Sequence, residues 1–152
     1  MRPQKSLRAR ALDILSRREV SRQQLYRKLA PYAEDPSELD AVVAEFAERN
    51  WQSDERYTEA YIHSKSAKHG TQRLKHALAT QGIDESLIHE YLPDAQTEQA
   101  NANQVLRKKH AAPPKDYAEK QKYLRFLVYR GFDFETANYA VKHAWEDEGE
   151  ME

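Results

Sequence analysis

Apolar side chains recur along this chain at helical spacing. Leu39, Val42, Val43, Phe46 and Ala47 occupy positions i, i+3, i+4, i+7 and i+8, one stripe of a helix. Ala137, Ala140, Val141, Ala144 and Trp145 repeat that spacing, and shorter versions run through Leu7/Ala11/Ile14/Leu15, Tyr57/Ala60/Tyr61, Leu74/Ala77/Leu78, Leu87/Ile88/Tyr91/Leu92 and Ala102/Val105/Leu106. No stretch sustains the alternation of a strand. The pattern predicts nine short helices over 7–17, 21–30, 36–49, 54–68, 71–81, 85–92, 95–110, 116–130 and 134–146. Pro31, Pro93 and Pro113-Pro114 fall in the breaks between them.

The residues between the stripes predict how the helices begin and end. Ser21 and Gln24 have capping-box spacing, with Val20 placed to staple onto Leu25. Asp35 precedes Pro36 and Glu38, the order of an N-cap, a proline in the first turn and an acidic residue near the positive end of the dipole. Three helix stops share one form: Asn50 before Trp51, Gly82 before Ile83 and Gly131 before Phe132. Gly and Asn tolerate the left-handed conformation just past a helix, and the following apolar residue then packs back on the last turn. The predicted pairs are Trp51 on Phe46, Ile83 on Leu78 and Phe132 on Leu127. Ser53, Asp84 and Asp133 stand where the next helices need an N-cap.

A shift of 49 residues lays Thr71–Leu78 with Gly82-Ile83-Asp84 onto Lys120–Leu127 with Gly131-Phe132-Asp133, and brings Leu25 and Leu29 under Leu74 and Leu78. The expected fold is therefore all-α: three tandem three-helix repeats, elongated, with helix-turn-helix-like units. Residues 1–52 form the first repeat, 53–93 the second, and 94–152 the third with an acidic C-terminal tail.

Composition narrows the function classes. Four glycines and six prolines in 152 residues suit helices better than a turn-rich β fold. The hydrophobic fraction of 39% against 32% charged points to several thin cores rather than one large one. With no cysteine, disulfides, thiolate metal sites and a thiol nucleophile are excluded. No apolar run approaches the roughly 20 residues of a membrane span, and the basic start Met1–Ser6 has no apolar segment behind it, so the expected location is cytoplasmic. The net charge of −1 conceals six alternating blocks: +7 over 1–30, −7 over 31–64, +4 over 65–82, −5 over 83–102, +6 over 103–130 and −6 over 131–152. The middle helix of each repeat is basic. Arg22, Arg27 and Lys28, then Arg73 and Lys75, then Lys120, Lys122, Arg125 and Arg130 are the candidate contact residues for a polyanion or an acidic protein surface.

Nothing in the sequence suggests catalysis. There is no Gly-rich phosphate loop, no nucleophile elbow and no paired-carboxylate arrangement. His63, His69, His76, His89, His110 and His143 lack metal-ligand spacing, so no metal and no cofactor is expected. Tyr57, Tyr61, Tyr91 and Tyr123 lie on apolar stripes and read as core; Tyr26 and Tyr129, each beside an arginine, are the candidates for base stacking. The tail Glu146–Glu152 reads as frayed and solvated.

Four stretches, in order, resemble the RecX regulators of bacterial recombination. They are Ala11–Ser21 running into Leu25–Leu29, Ser53–Ile62, Gly70–Leu74 through Leu78 to Gly82-Ile83, and Lys120–Phe132, together spanning roughly 7–145. One departure stands at the first join. The family commonly carries Gly-Tyr-Leu-Asp-Asp where this chain has Asn50-Trp51-Gln52-Ser53-Asp54. The resemblance implies a cytoplasmic, non-catalytic protein whose partner is the RecA filament on single-stranded DNA. Members lodge in the filament groove, block extension or promote disassembly, and so restrain strand exchange, ATPase and coprotease activity. Expected partners are thus RecA and the single-stranded DNA within its filament, with weak direct DNA binding and no membrane, for a monomer. Two other readings stay open: a stand-alone DNA-binding protein of helix-turn-helix type, which predicts a dimer on duplex DNA, and a solenoid-like peptide scaffold, against which the basic blocks count.

Overall fold

The computed structural model describes residues 5–146. Among these the chain is all-helical, running α1 (Leu7–Arg17), α2 (Arg22–Leu29), a short 3-10 turn (Ala30–Tyr32), α3 (Pro36–Glu48), α4 (Asp54–Lys65), α5 (Thr71–Thr80), α6 (Glu85–Tyr91), α7 (Ala95–Lys109), α8 (Tyr117–Tyr129) and α9 (Phe134–His143). Residues 147–152 of the acidic tail lie outside the described residues. Its first residue, Glu146, pairs with His143 Nδ1 at 2.6 Å.

The starts and stops follow the expected chemistry. Ser21 accepts from the Gln24 amide while the Gln24 side chain accepts from the Ser21 amide, a complete capping box. Asp35 accepts from the Ser37 amide with Pro36 in the first turn. Ser53, Asp84 and Asp133 accept from the amides of Arg56, Ser86 and Thr136. Ser6, Asp94 and Asp116 cap α1, α7 and α8 in the same way. At all three shared stops the residue beyond the turn donates back to the helix: Trp51 to Phe46 O, Ile83 to Leu78 O and Phe132 to Leu127 O, at 3.0–3.1 Å. Asn50, Gly82 and Gly131 hold the positive φ this requires, at 60°, 81° and 103°.

Most boundaries fall within one residue of those the periodicity predicts, but α9 ends at His143 rather than 146, and α2 and α4 also end differently. α2 runs into the 3-10 turn at Ala30 because Pro31 has no amide to extend the α-helical ladder. α4 ends at Lys65 rather than 68, and the chain turns through Ala67 and Lys68 to reach Gly70.

The described residues pack as two compact units, one of residues up to 61 with 78–90, the other of 62–77 with those from 91 on. The first unit has Leu7, Ala11, Val20, Leu25, Leu29, Leu39, Val43 and Phe46 in its core, with the Trp51 ring edge-on to Phe46 at 5.1 Å. The core of the second is built from α7, α8 and α9, including Leu106, Tyr123, Leu127, Phe132 and Val141. Arg107 to Ala144 O, Gln99 to Thr136 O and Trp145 Nε1 to His110 O tie its edges. The 49-residue register holds in burial: Leu25, Leu74 and Tyr123 are all buried, as are Leu29, Leu78 and Leu127. The same slot of each repeat therefore faces a core, which is the packing of tandem helical repeats.

The departure at the first join also has a physical account. Gln52 is only 3% exposed, yet its amide nitrogen donates to Val20 O at 3.2 Å and to Asp54 Oδ1 at 3.0 Å. Asp54 Oδ1 also accepts from the Arg22 amide at 2.8 Å. A buried polar side chain thus ties the end of α3, the start of α2 and the start of α4.

Candidate functional site

The segment leading into α5 is clamped onto the turn between α8 and α9. The Gly70 amide donates to Arg130 O at 2.8 Å, and the Gln72 amide to Gly131 O at 3.0 Å. Thr71 donates from both its amide and its hydroxyl to the Glu98 carboxylate. This approach needs two glycines. A Cβ on Gly70 would overlap the backbone of Gly131 and Phe132, and one on Gly131 would overlap Arg73. Arg73 is thereby held with its guanidinium 5.7 Å from the centre of the Tyr129 ring, and Arg130 stacks on Phe126 at 5.1 Å while donating to Lys68 O.

Around His69 the clamp gathers four cations. His69, between Lys68 and Gly70, has its pKa held below the ordinary imidazole value, first by burial and then by Arg73, Arg130, Lys65 and Lys68. Its Nδ1 is buried without a hydrogen-bond partner among the described residues. A concavity of about 310 Å³ in the same unit is lined by Lys68, Lys108, Lys109 and Arg130 over Val105 and Phe126. His110 is likewise depressed by burial and by Lys122 and Lys109, against Glu119. Among the described residues none of Lys65, Lys68, Arg73, Lys108, Lys109 and Arg130 takes part in an ion pair. Tyr129, 77% exposed, stands at the edge of this cluster.

Of the nine candidates read from the sequence, the structure brings Arg73 and Arg130 together here. Lys122 faces the His110 side of the same unit. Lys28 lines a different concavity in the first unit, and Arg22 lies beside Asp40 and Asp54 in another. Arg27, Lys75, Lys120 and Arg125 line none of these, and Lys75 and Lys120 are half-buried. Lys65, Lys68, Lys108 and Lys109 escape the sequence reading because the 49-residue register directs attention to middle helices. These four stand instead at or just beyond the C-terminal ends of α4 and α7. The charge blocks 65–82 and 103–130 contain all four and are the better guide. Tyr26 and Tyr129 are exposed, while Tyr57 and Tyr123 are buried and Tyr61 and Tyr91 half-buried.

Known proteins share this helical layout. Residues 53–92 match the model of the RecX second three-helix domain, and residues 96–141 that of the third. The chain is 63% identical to the regulatory protein RecX of Neisseria meningitidis serogroup C over 99% of its own length and 98% of that protein's. It is 41% identical to the regulatory protein RecX of Chromobacterium violaceum over 95% and 94%. The crystal structure of RecX from Lactobacillus salivarius superposes with a TM-score of 0.78 at 16% identity, covering 91% of this chain and 94% of that one, which shows a shared fold. With two domain models and near-full-length relatives in agreement, the chain belongs to the RecX family.

Proposed function

We propose that this chain is a negative regulator of the RecA recombinase, a non-catalytic protein that binds RecA filaments on single-stranded DNA as a monomer and blocks their extension or promotes their disassembly. Strand exchange, ATPase and coprotease activity of RecA would fall together, since all three need the filament. Membership of a family whose relatives are named regulatory proteins supports this reading. The observation that carries it is the cation cluster of Lys65, Lys68, Arg73, Lys108, Lys109 and Arg130, with no ion pair among the described residues and Tyr129 at its edge. Such a surface recognises a polyanion or an acidic protein face, and its charge speeds and orients encounter. In this reading the repeats 1–52, 53–93 and 94–152 are structural modules, and the cluster belongs to the second and third.

The test is the single-stranded-DNA-dependent ATPase of the cognate RecA. Sub-stoichiometric addition of this protein lowers the rate; an unchanged rate refutes the proposal. Paired charge reversals then locate the binding face. R73E/K75E, which strikes the cluster at Arg73, weakens inhibition about tenfold or more, the effect of removing one or two well-formed charge pairs. K122E/R125E weakens it less. The opposite order moves the binding face to α8.

A further inference from the structure

The first unit carries a second cationic concavity, of about 520 Å³, bounded by α1, α2 and the turn at 30–32. Arg10, Arg17 and Arg18 reach it from α1 and the residue after it, and Lys28 from α2. The carboxylate of Asp13 also lines it, but Lys5 already pairs with that group at 2.5 Å. Among the described residues Arg10, Arg17, Arg18 and Lys28 are in no ion pair. Arg10 instead lies over an aromatic ring, its guanidinium carbon 3.7 Å from the centre of Tyr32, with Nε buried and without a hydrogen-bond partner. Tyr32 is 55% exposed, so one face of the ring is backed by a cation while much of the ring remains open. Ile14 and Leu29 supply an apolar wall.

We propose that this concavity is a binding cleft for single-stranded nucleic acid, with Arg17, Arg18 and Lys28 on phosphates and a base stacked on Tyr32. A cationic track beside an open aromatic ring is the pairing such strands require, because phosphates supply sequence-independent attraction and any base can stack. Arg17, Arg18, Lys28 and Tyr32 are all exposed, which suits a strand passing across the cleft better than a small ligand enclosed by it. Duplex DNA fits less well, since its bases are already stacked on each other. Apart from Lys28, none of the residues lining the cleft is a candidate on sequence grounds.

The test is direct binding of the full chain, without RecA, to a labelled oligothymidylate about twelve nucleotides long, read by fluorescence anisotropy. Tyr32→Ala weakens binding about fivefold or more while Tyr32→Phe retains it, as removing and keeping the stack require. On an abasic oligomer of equal length Tyr32→Ala binds like the parent. Arg17→Gln/Arg18→Gln weakens both ligands and lowers the slope of log K against log salt by about 0.7 for each phosphate no longer neutralised. Unchanged thermal melts confirm that the variants fold. The assignment is overturned if Tyr32→Ala binds oligothymidylate like the parent, if duplex of the same length binds tighter, or if ATP or polyglutamate displaces the strand at equal charge concentration. Because RecA is absent from the assay, failure here leaves the ATPase result standing, and the reverse also holds.

Discussion

Gly70→Ala tests the link between the fold and the cation cluster. The added methyl meets the backbone of Gly131 and Phe132, where no flexible side chain can yield. The α5 start must move off the α8–α9 turn, stretching two backbone hydrogen bonds of 2.8 and 3.0 Å. Those bonds contribute about 0.5–1.5 kcal/mol each, and the Arg73–Tyr129 interaction adds about 0.5–1 kcal/mol. Against this, alanine restricts the unfolded chain and returns about 0.4–1 kcal/mol. The net expectation is a loss of about 2 kcal/mol, roughly a thirtyfold shift toward the unfolded state. The two tryptophans allow the effect to be placed. Trp145 packs in the second unit and donates to His110 O, whereas Trp51 packs on Phe46 in the first. In a Trp51→Phe background, urea denaturation followed by fluorescence reports the second unit alone. Gly82→Ala is the matched control: its φ of 81° strains any side chain by about 1–2 kcal/mol, but the atoms nearest its added methyl belong to the Gln23 side chain, in the first unit. Gly70→Ala should therefore lower the Trp145 transition and also weaken the proposed inhibition of RecA, while Gly82→Ala leaves that inhibition near the parent level. A Gly70→Ala transition within about 0.5 kcal/mol of the parent, on the scale expected of a neutral surface change, would refute the clamp.

Gln52→Ala removes a buried donor from Val20 O and Asp54 and should lower stability by about 1–3 kcal/mol in chemical denaturation; a loss below about 0.5 kcal/mol would mean that the tie is idle. His69 and His110 both have folded pKa values below the ordinary 6.5, so the unfolded chain binds their protons more readily. Their contribution is present above about pH 6.5 and fades as pH falls toward the folded values, so the urea midpoint should drop as pH falls through and below about 6.5. His69→Gln should flatten part of that drop, and an unchanged pH profile in the variant removes His69 from the account. Asp116→Ala deletes the side-chain cap of α8 and should cost about 1 kcal/mol in the same denaturation assay, with none of the loss appearing for Asp116→Asn.

The parts of the fold legible in the sequence are those governed by local chemistry. Ser21/Gln24, Asp35/Pro36 and the three stops at Asn50, Gly82 and Gly131 involve residues within five positions of each other, so type and spacing determine the geometry. The 3-10 turn at 30–32 is not legible from Pro31, because a proline marks a break without choosing the conformation that adjoins it. The candidate site is only half legible. Arg73 and Arg130 can be read from helix membership, but their meeting depends on Gly70 and Gly131 lying against each other across 61 positions of sequence, and no local rule states that. A glycine directly before a helix, with no positive φ, marks a close backbone approach whose partner the sequence does not specify. Gln52 shows the same limit, since its acceptor Val20 O lies 32 positions away.

The clamp has an electrostatic consequence that bears on function. Like charges at surface spacing repel by about 0.2–0.5 kcal/mol per pair, so a cluster around His69 containing Lys65, Lys68, Arg73 and Arg130 opposes the packing that creates it. Two features offset the repulsion. Lys65 and Lys109 end α4 and α7, and Arg130 is the C-cap of α8, so three of the cations stand at the negative ends of helix dipoles. The backbone bonds of Gly70 and Gln72 supply the remainder, being independent of salt and of side-chain charge. The Glu98 carboxylate, held by the neutral donors of Thr71, keeps its charge and adds one anion at the edge of the clamp. If the cluster meets an anionic surface, as proposed, binding would relieve the repulsion and raise the His69 pKa toward its ordinary value. Proton uptake on binding just below about pH 6.5, absent in His69→Gln, is the calorimetric signature of that coupling.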